Sequence, residues 1–293
     1  MGVLTPTSLF ISSSDMKCFL QTILKYVIIV LLIVVPVDIF KIYSKNYGAT
    51  VVGSEIYCAI EKSQKKENAK KLLLGDSVGH QLYPCEKEFD NFVSLACNQA
   101  ITMAGQFFLL KNYIETNVED LPQEVILLIT PFSLSNDVDK HAYHYFLKPF
   151  PPYKWSELYT KHLKQRIHSI PFYWSANLPF IQTSSYTPKI AVPSPQVIES
   201  VSPLSFEYLL KMDSITKANN IGFHMVSTPI RDDRQNDIAL FWESLPAVYI
   251  SRLSELLQPY KESIMYLPSE WYSDHVHFVG EKTPDDYLNL LSE

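Results

Sequence analysis

The chain has 293 residues, of which 47% are hydrophobic and 19% charged, and a formal net charge of -6 at pH 7. Enough apolar surface is present to bury a sizeable core, as one large domain or two small ones, which excludes an intrinsically disordered protein. The negative balance, without a basic stripe carrying interleaved aromatics, argues against a nucleic-acid partner, because phosphate binding needs a basic footprint.

The first element in chain order is an apolar stretch over residues 19–40, interrupted by Gln21, Thr22, Lys25 and Asp38. About 20 apolar residues span a bilayer as a helix, and Lys25 can extend toward one face. A cleaved signal peptide would end in a small-x-small site, and none follows clearly. The expectation is a tail over 1–18, a single-pass membrane anchor over 19–42 and a polar stalk over 43–69. Lys17 and Lys25 flank one side and Lys41 and Lys45 the other, so charge barely orients the anchor. A short tail inside and a large extracytoplasmic domain is the simpler arrangement.

The remaining residues, 70–293, read as one domain with an insertion over 138–202. Short apolar runs predict strands at 71–74, 92–96, 124–130, 222–227 and 263–267. Helical spacing predicts helices at 104–118, through Phe107, Phe108, Leu110 and Ile114, at 204–218, and at 239–260, where Pro246 should kink or break the helix. Strands alternating with helices imply a doubly wound parallel α/β sheet, covered on both faces, with its ligand site beyond the carboxyl ends of the strands.

The insertion is rich in proline and aromatics, as in Phe150-Pro151-Pro152-Tyr153-Lys154-Trp155 and Ile170-Pro171-Phe172-Tyr173-Trp174. A sugar-stacking wall or lid and a packed subdomain both account for those rings. Its histidines, His141, His144, His162 and His168, lack a carboxylate partner set, and no cysteine spacing resembles a zinc site, so no metal or other cofactor is expected. Cys58, Cys85 and Cys97 leave an odd number in the soluble part. A Cys58–Cys85 disulfide and unpaired buried thiols both stay open.

The run Leu72-Leu73-Leu74-Gly75-Asp76-Ser77 places a serine just past the end of the first strand, where a helix can start. Its hydroxyl would stand on a rigid edge with its backbone N–H toward the mouth of the sheet. Helix capping by Asp76 or Ser77 is the plainer role for such residues, and by average composition Gly-Asp-Ser arises by chance in about one chain in ten of this length. The second cluster, Asp274-His275-Val276-His277, strengthens the first. A serine hydroxyl is a poor nucleophile until a base takes its proton, and a carboxylate three residues from a histidine can fix the imidazole tautomer if both lie on one helical turn. That spacing favours His277 over His275, with Asp274 as the orienting carboxylate. His80, three residues after Ser77, needs no role.

In these two blocks the chain resembles the SGNH (GDSL-type) hydrolases, whose Gly-Asp-Ser is matched by Gly75, Asp76 and Ser77 and whose Asp-x-x-His is matched by Asp274 and His277. The resemblance covers roughly residues 70–280 and implies a flavodoxin-like, three-layer α/β/α sheet and ester chemistry. It implies an oxyanion hole with three donors: the Ser77 N–H, a second from Gly105 or Asn98, and Asn136 in Asn136-Asp137 as the third, although Leu134 stands where that family has a glycine. The anchor and the segment Leu95-Ala96-Cys97-Asn98-Gln99-Ala100 resemble membrane-attached members linked to bacterial envelope polysaccharides. That likeness implies an acyl-ester substrate, an acetylated polysaccharide being the leading class, hydrolase or acyltransferase chemistry, and a membrane-bound acyl-donor partner. A non-catalytic binding or assembly component of a polysaccharide machinery, and a purely structural anchored protein, are the alternatives.

Overall fold

The computed structural model describes residues 13–39, 54–138, 143–177 and 200–279. The expected tail up to residue 12, the ends of the expected anchor and stalk that meet over 40–53, much of the insertion's second half, His141, the His144 side chain and the last 14 residues lie outside them. The first element, α1 (Ser13–Ile39), contains an 18-residue window, Met16–Ile33, of mean hydropathy 2.0 with none of it buried. By length and composition this helix is able to span a membrane or serve as a signal anchor.

The next helix, α2 (Ser54–Ser63), departs from the expected stalk. Ile56, Ala59, Lys62 and Ser63 recur at three- and four-residue spacing and are all buried, so one face of α2 packs into the main core. The apolar run Ile56-Tyr57-Cys58-Ala59-Ile60 is too short for the helical period to show in the sequence.

The chain then alternates: β1 (Lys71–Gly75), α3 (Ser77–Leu82), β2 (Phe92–Ser94), α4 (Thr102–Thr116) and β3 (Glu124–Ile129). Three short helices follow, α5 (Tyr143–Leu147), α6 (Pro152–Trp155) and α7 (Lys161–His168), then α8 (Pro203–Ala218) and β4 (Gly222–Ser227). The last elements are β5 (Ile230–Arg231), α9 (Gln235–Glu243), α10 (Ala247–Glu262) and β6 (Tyr266–Leu267). The four longer strands form one parallel sheet in the order β2-β1-β3-β4, in register from Lys71 opposite Phe92 and Glu124 to Ile129 opposite Ser227. The molecule is therefore a mixed α/β protein on a four-stranded parallel sheet.

Side chains alternate across that sheet, as the two-residue period of a strand requires. Leu72, Leu74, Val125, Leu127 and Ile129 join a large core with α2, α4, α8 and α10. Leu73 and Leu128 join a smaller cluster with Val78 and Leu82 of α3, Tyr83, Phe92, Tyr272 and Phe278. One face is thus thickly covered. The other is covered, among the described residues, by a two-turn helix and a C-terminal loop.

Pro246 does break the expected long helix: α9 ends at Glu243, and Pro246 caps the start of α10. The expected strand at 263–267 shrinks to Tyr266–Leu267 and pairs with β5 instead of the main sheet. The Ser263 hydroxyl accepts a hydrogen bond from Ser227 N–H at 2.8 Å, which satisfies the outer edge of β4 where another strand would pair. In the insertion, Phe108 of α4 stacks on Trp155 and Tyr159 and meets Phe146 and Phe150, so these rings fill a core. Tyr153, Phe172 and Trp174 are exposed.

Candidate active site

Ser77 opens α3 at the carboxyl end of β1. Two glycines make the turn fit. A Cβ on Gly75 or on Gly79 would lie 2.8 Å from the Leu128 carbonyl oxygen, so β3 and the first turn of α3 approach too closely for any side chain. Asp76 caps the helix and is 1% exposed. Its Oδ1 accepts from Val78 N–H at 3.0 Å and Gly79 N–H at 3.1 Å, and its Oδ2 from Thr130 N–H at 2.7 Å and the Ser133 hydroxyl at 2.6 Å. This buried carboxylate ties the Ser77 turn to the end of β3.

The hydrogen-bond partner of Ser77 Oγ comes from 200 residues away in sequence. His277 Nε2 lies 2.8 Å from Ser77 Oγ, and His277 Nδ1 lies 2.8 Å from Asp274 Oδ2. The pair does not share a helical turn. Tyr272 and Phe278 form an antiparallel bridge, Ser273 N–H donates to the His277 carbonyl at 2.8 Å, and residues between them make a tight hairpin. Asp274 Oδ1 accepts from Val276 N–H at 2.8 Å and His277 N–H at 2.7 Å, an Asx-type turn that folds the carboxylate back onto the imidazole. The tautomer assigned from this wiring has Nδ1–H donating to Asp274 and Nε2 accepting from the Ser77 hydroxyl.

Gln81 holds the hairpin in place. Its Nε2 donates to the Phe278 carbonyl and its Oε1 accepts from Phe278 N–H, both at 2.9 Å. Arg231 Nη1 donates to the Asp274 carbonyl at 2.8 Å while its other nitrogens grip Asp233.

Each partner of the Asp274–His277 pair holds the other in its charged form. Burial tends to raise the Asp274 carboxyl, but the hydrogen bond from the His277 ring and those from the His277 and Val276 backbone outweigh it and hold the group well below the ordinary carboxylate range. His277 is raised above its usual value, first by its hydrogen bond to Asp274, against an opposing effect of burial and with help from the charges of Asp274 and Asp76.

The three expected oxyanion positions beyond Ser77 separate in the structure. Gly105 is buried at the start of α4, where an added Cβ would lie 2.6 Å from Ile101 Cβ. Asn98 follows β2, with its Oδ1 turned back to Ala100 N–H at 2.9 Å, so its amide N–H₂ is the unspent half. Asn136 follows β3, and its carbonyl accepts from Ser202 Oγ at 2.8 Å. Its side chain is partly exposed. The Ser77 N–H sits at the first helical position, where no helical carbonyl stands behind it.

His80 pairs with Glu86 at 2.8 Å, away from this chain of bonds. His162 comes within 3.9 Å of Asp137, which Arg166 also holds. No protein-family model and no curated protein matches the chain.

Sequence reasoning missed Gly79, Gln81, Thr130, Ser133 and Arg231. Gln81 stands four residues after Ser77 on the same helical face, a spacing that could have marked it. Thr130, Ser133 and Arg231 act across the fold, and no local pattern announces them.

Proposed function

We propose that this chain is a membrane-anchored serine esterase or O-acyltransferase, with hydrolysis the favoured outcome. The unbroken line of hydrogen bonds from Ser77 Oγ through His277 to Asp274 carries that reading. Ser77 attacks an acyl carbonyl as His277 Nε2 takes its proton. The imidazolium formed is stabilised by Asp274, and His277 then returns the proton to the leaving alcohol. A second acceptor resolves the acyl-enzyme: water makes a hydrolase, a sugar hydroxyl a transferase.

The Ser77 N–H is the first oxyanion donor in this reading. In this reading the amides of Asn98, in the loop after β2, and of Asn136, beyond the 3-10 turn that follows β3, are the second and third. We read the four-stranded sheet as the core of a flavodoxin-like fold of SGNH type, since its order and parallel sense fit that topology. The likeness of the anchor and of the segment Leu95-Ala96-Cys97-Asn98-Gln99-Ala100 to membrane-attached members linked to envelope polysaccharides supports an acetylated polysaccharide as substrate class, an extracytoplasmic domain and a membrane-bound acyl donor for the transferase case.

Hydrolysis of a chromogenic acetyl ester by the detergent-solubilised full chain tests the proposal. Activity in the wild type and its loss in both Ser77→Ala and His277→Ala is the expected result. Equal rates in all three, with folding intact, would leave a binding or assembly role.

A further inference from the structure

Away from the Ser77 site, the sulfurs of Cys58 on α2 and Cys85 in the turn after α3 lie 2.7 Å apart. A movement of roughly 0.7 Å brings such a pair to bonding distance. Cys58 is half-buried and Cys85 is 1% exposed, and both thiols are free in this structure. The surrounding contacts hold the two segments together independently of the sulfurs. Lys62, one turn along α2, is buried and donates through Nζ to the Cys85 carbonyl at 3.1 Å and the Lys87 carbonyl at 2.9 Å. Ile56 and Ala59 of α2 share a core with Cys85. The backbone around both cysteines is therefore already placed for a cross-link.

We propose that Cys58 and Cys85 form a disulfide that fastens α2 to the loop following the Ser77 helix. The oxidant is a disulfide of small-molecule or protein origin, as found outside the cytosol. The Cys58 thiolate attacks one sulfur of that disulfide, forming a mixed disulfide and expelling the first thiolate, which takes up a proton. Cys85 then attacks the Cys58 sulfur, loses its proton, closes the Cys58–Cys85 bond and expels the second thiol. Two protein thiols give up two electrons and two protons, and the oxidant is reduced to two thiols. The order of attack fits the site. The hydrogen bond from Cys85 lowers the Cys58 thiol, and Cys58 is the more accessible of the two, while that same bond and burial raise Cys85. Cys97 is fully buried in the same core and is the competing partner. The cross-link is independent of the chemistry assigned to Ser77, so the two readings can fail separately.

The test is peptide mass mapping of the full chain, its free thiols trapped with N-ethylmaleimide at the moment of cell lysis. The expected product is a Cys58–Cys85 linked peptide pair, lighter by two hydrogens than the reduced peptides. It should survive in Cys97→Ala, disappear in Cys58→Ala, and re-form when reduced, folded chain is incubated with oxidised glutathione. Thermolysin should cut within α2 about tenfold faster after reduction. Trapping of Cys58 by the maleimide in native wild-type chain, a Cys85–Cys97 link, or failure of oxidised glutathione to close the pair would overturn the proposal. Equal cleavage rates would overturn the fastening role.

Discussion

Asp76 and Asp274 are two carboxylates of one site, held in opposite ways. Asp76 is 1% exposed and accepts hydrogen bonds from Val78 and Gly79 on α3 and from Thr130 and Ser133 beyond β3. The Asp274 side chain is 51% exposed and draws its hydrogen bonds from residues two and three positions along its own hairpin. The first is part of the fold's framework, and Ser77 inherits its rigidity. The second is a local turn that presents His277, docked through Gln81 and Arg231. Damage to the first region should therefore appear as lost stability, and damage to the second as lost chemistry.

The largest expected effect tests that separation at the hairpin. Asp274→Asn should lower kcat/KM for an acetyl ester by about 10³-fold, because the amide no longer fixes the His277 tautomer, with the melting temperature nearly unchanged. A large fall in melting temperature would erase the distinction. At the other carboxylate, Asp76→Asn leaves one acceptor oxygen and turns an N–H₂ toward backbone N–H donors. It should cost about 3 kcal/mol, a fall in melting temperature on the order of 10 °C by calorimetry. Gln81→Ala removes both contacts to Phe278, and kcat should fall about tenfold with KM little changed.

The smallest effect is in the pH profile. His277 must be neutral to act as base and is raised above its ordinary 6.5, so kcat/KM should fall as pH drops through a midpoint above that value. In Asp274→Asn the midpoint should move lower, as the largest cause of the raised value is removed. The linked stability runs in two directions. The His277 contribution is fully present below 6.5 and fades as pH rises through the raised folded value. The Asp274 contribution is present above 3.8 and fades as pH falls through the depressed one. Between 3.8 and 6.5 both contributions are fully present, so the melting temperature should vary little over that interval.

The same contrast explains what could be read from the chain alone. β1, β3 and β4 were legible because each is a run of apolar residues ending at a turn signal, and Pro246 marked the break between α9 and α10. Ser77 and His277 were legible because each stands in a short block whose chemistry is local. The helix α2 was not, since its apolar run, Ile56-Tyr57-Cys58-Ala59-Ile60, is too short to show a helical period and is closed off by Glu55 and Glu61. The shortening of the last strand was not either, because Tyr266–Leu267 pairs with Ile230–Arg231 rather than with the main sheet, a long-range choice with no local signal. Asp76 read as a helix cap, which it is, but its bonds to Thr130 and Ser133 depend on β1 and β3 being neighbours.

Labelling by a fluorophosphonate probe tests the central claim most directly, since it reads the nucleophile without any assumption about substrate. The folded wild-type chain should be labelled at Ser77, His277→Ala far more slowly, and Ser77→Ala not at all. Absence of labelling in folded wild type, or undiminished labelling in Ser77→Ala, would contradict the claim.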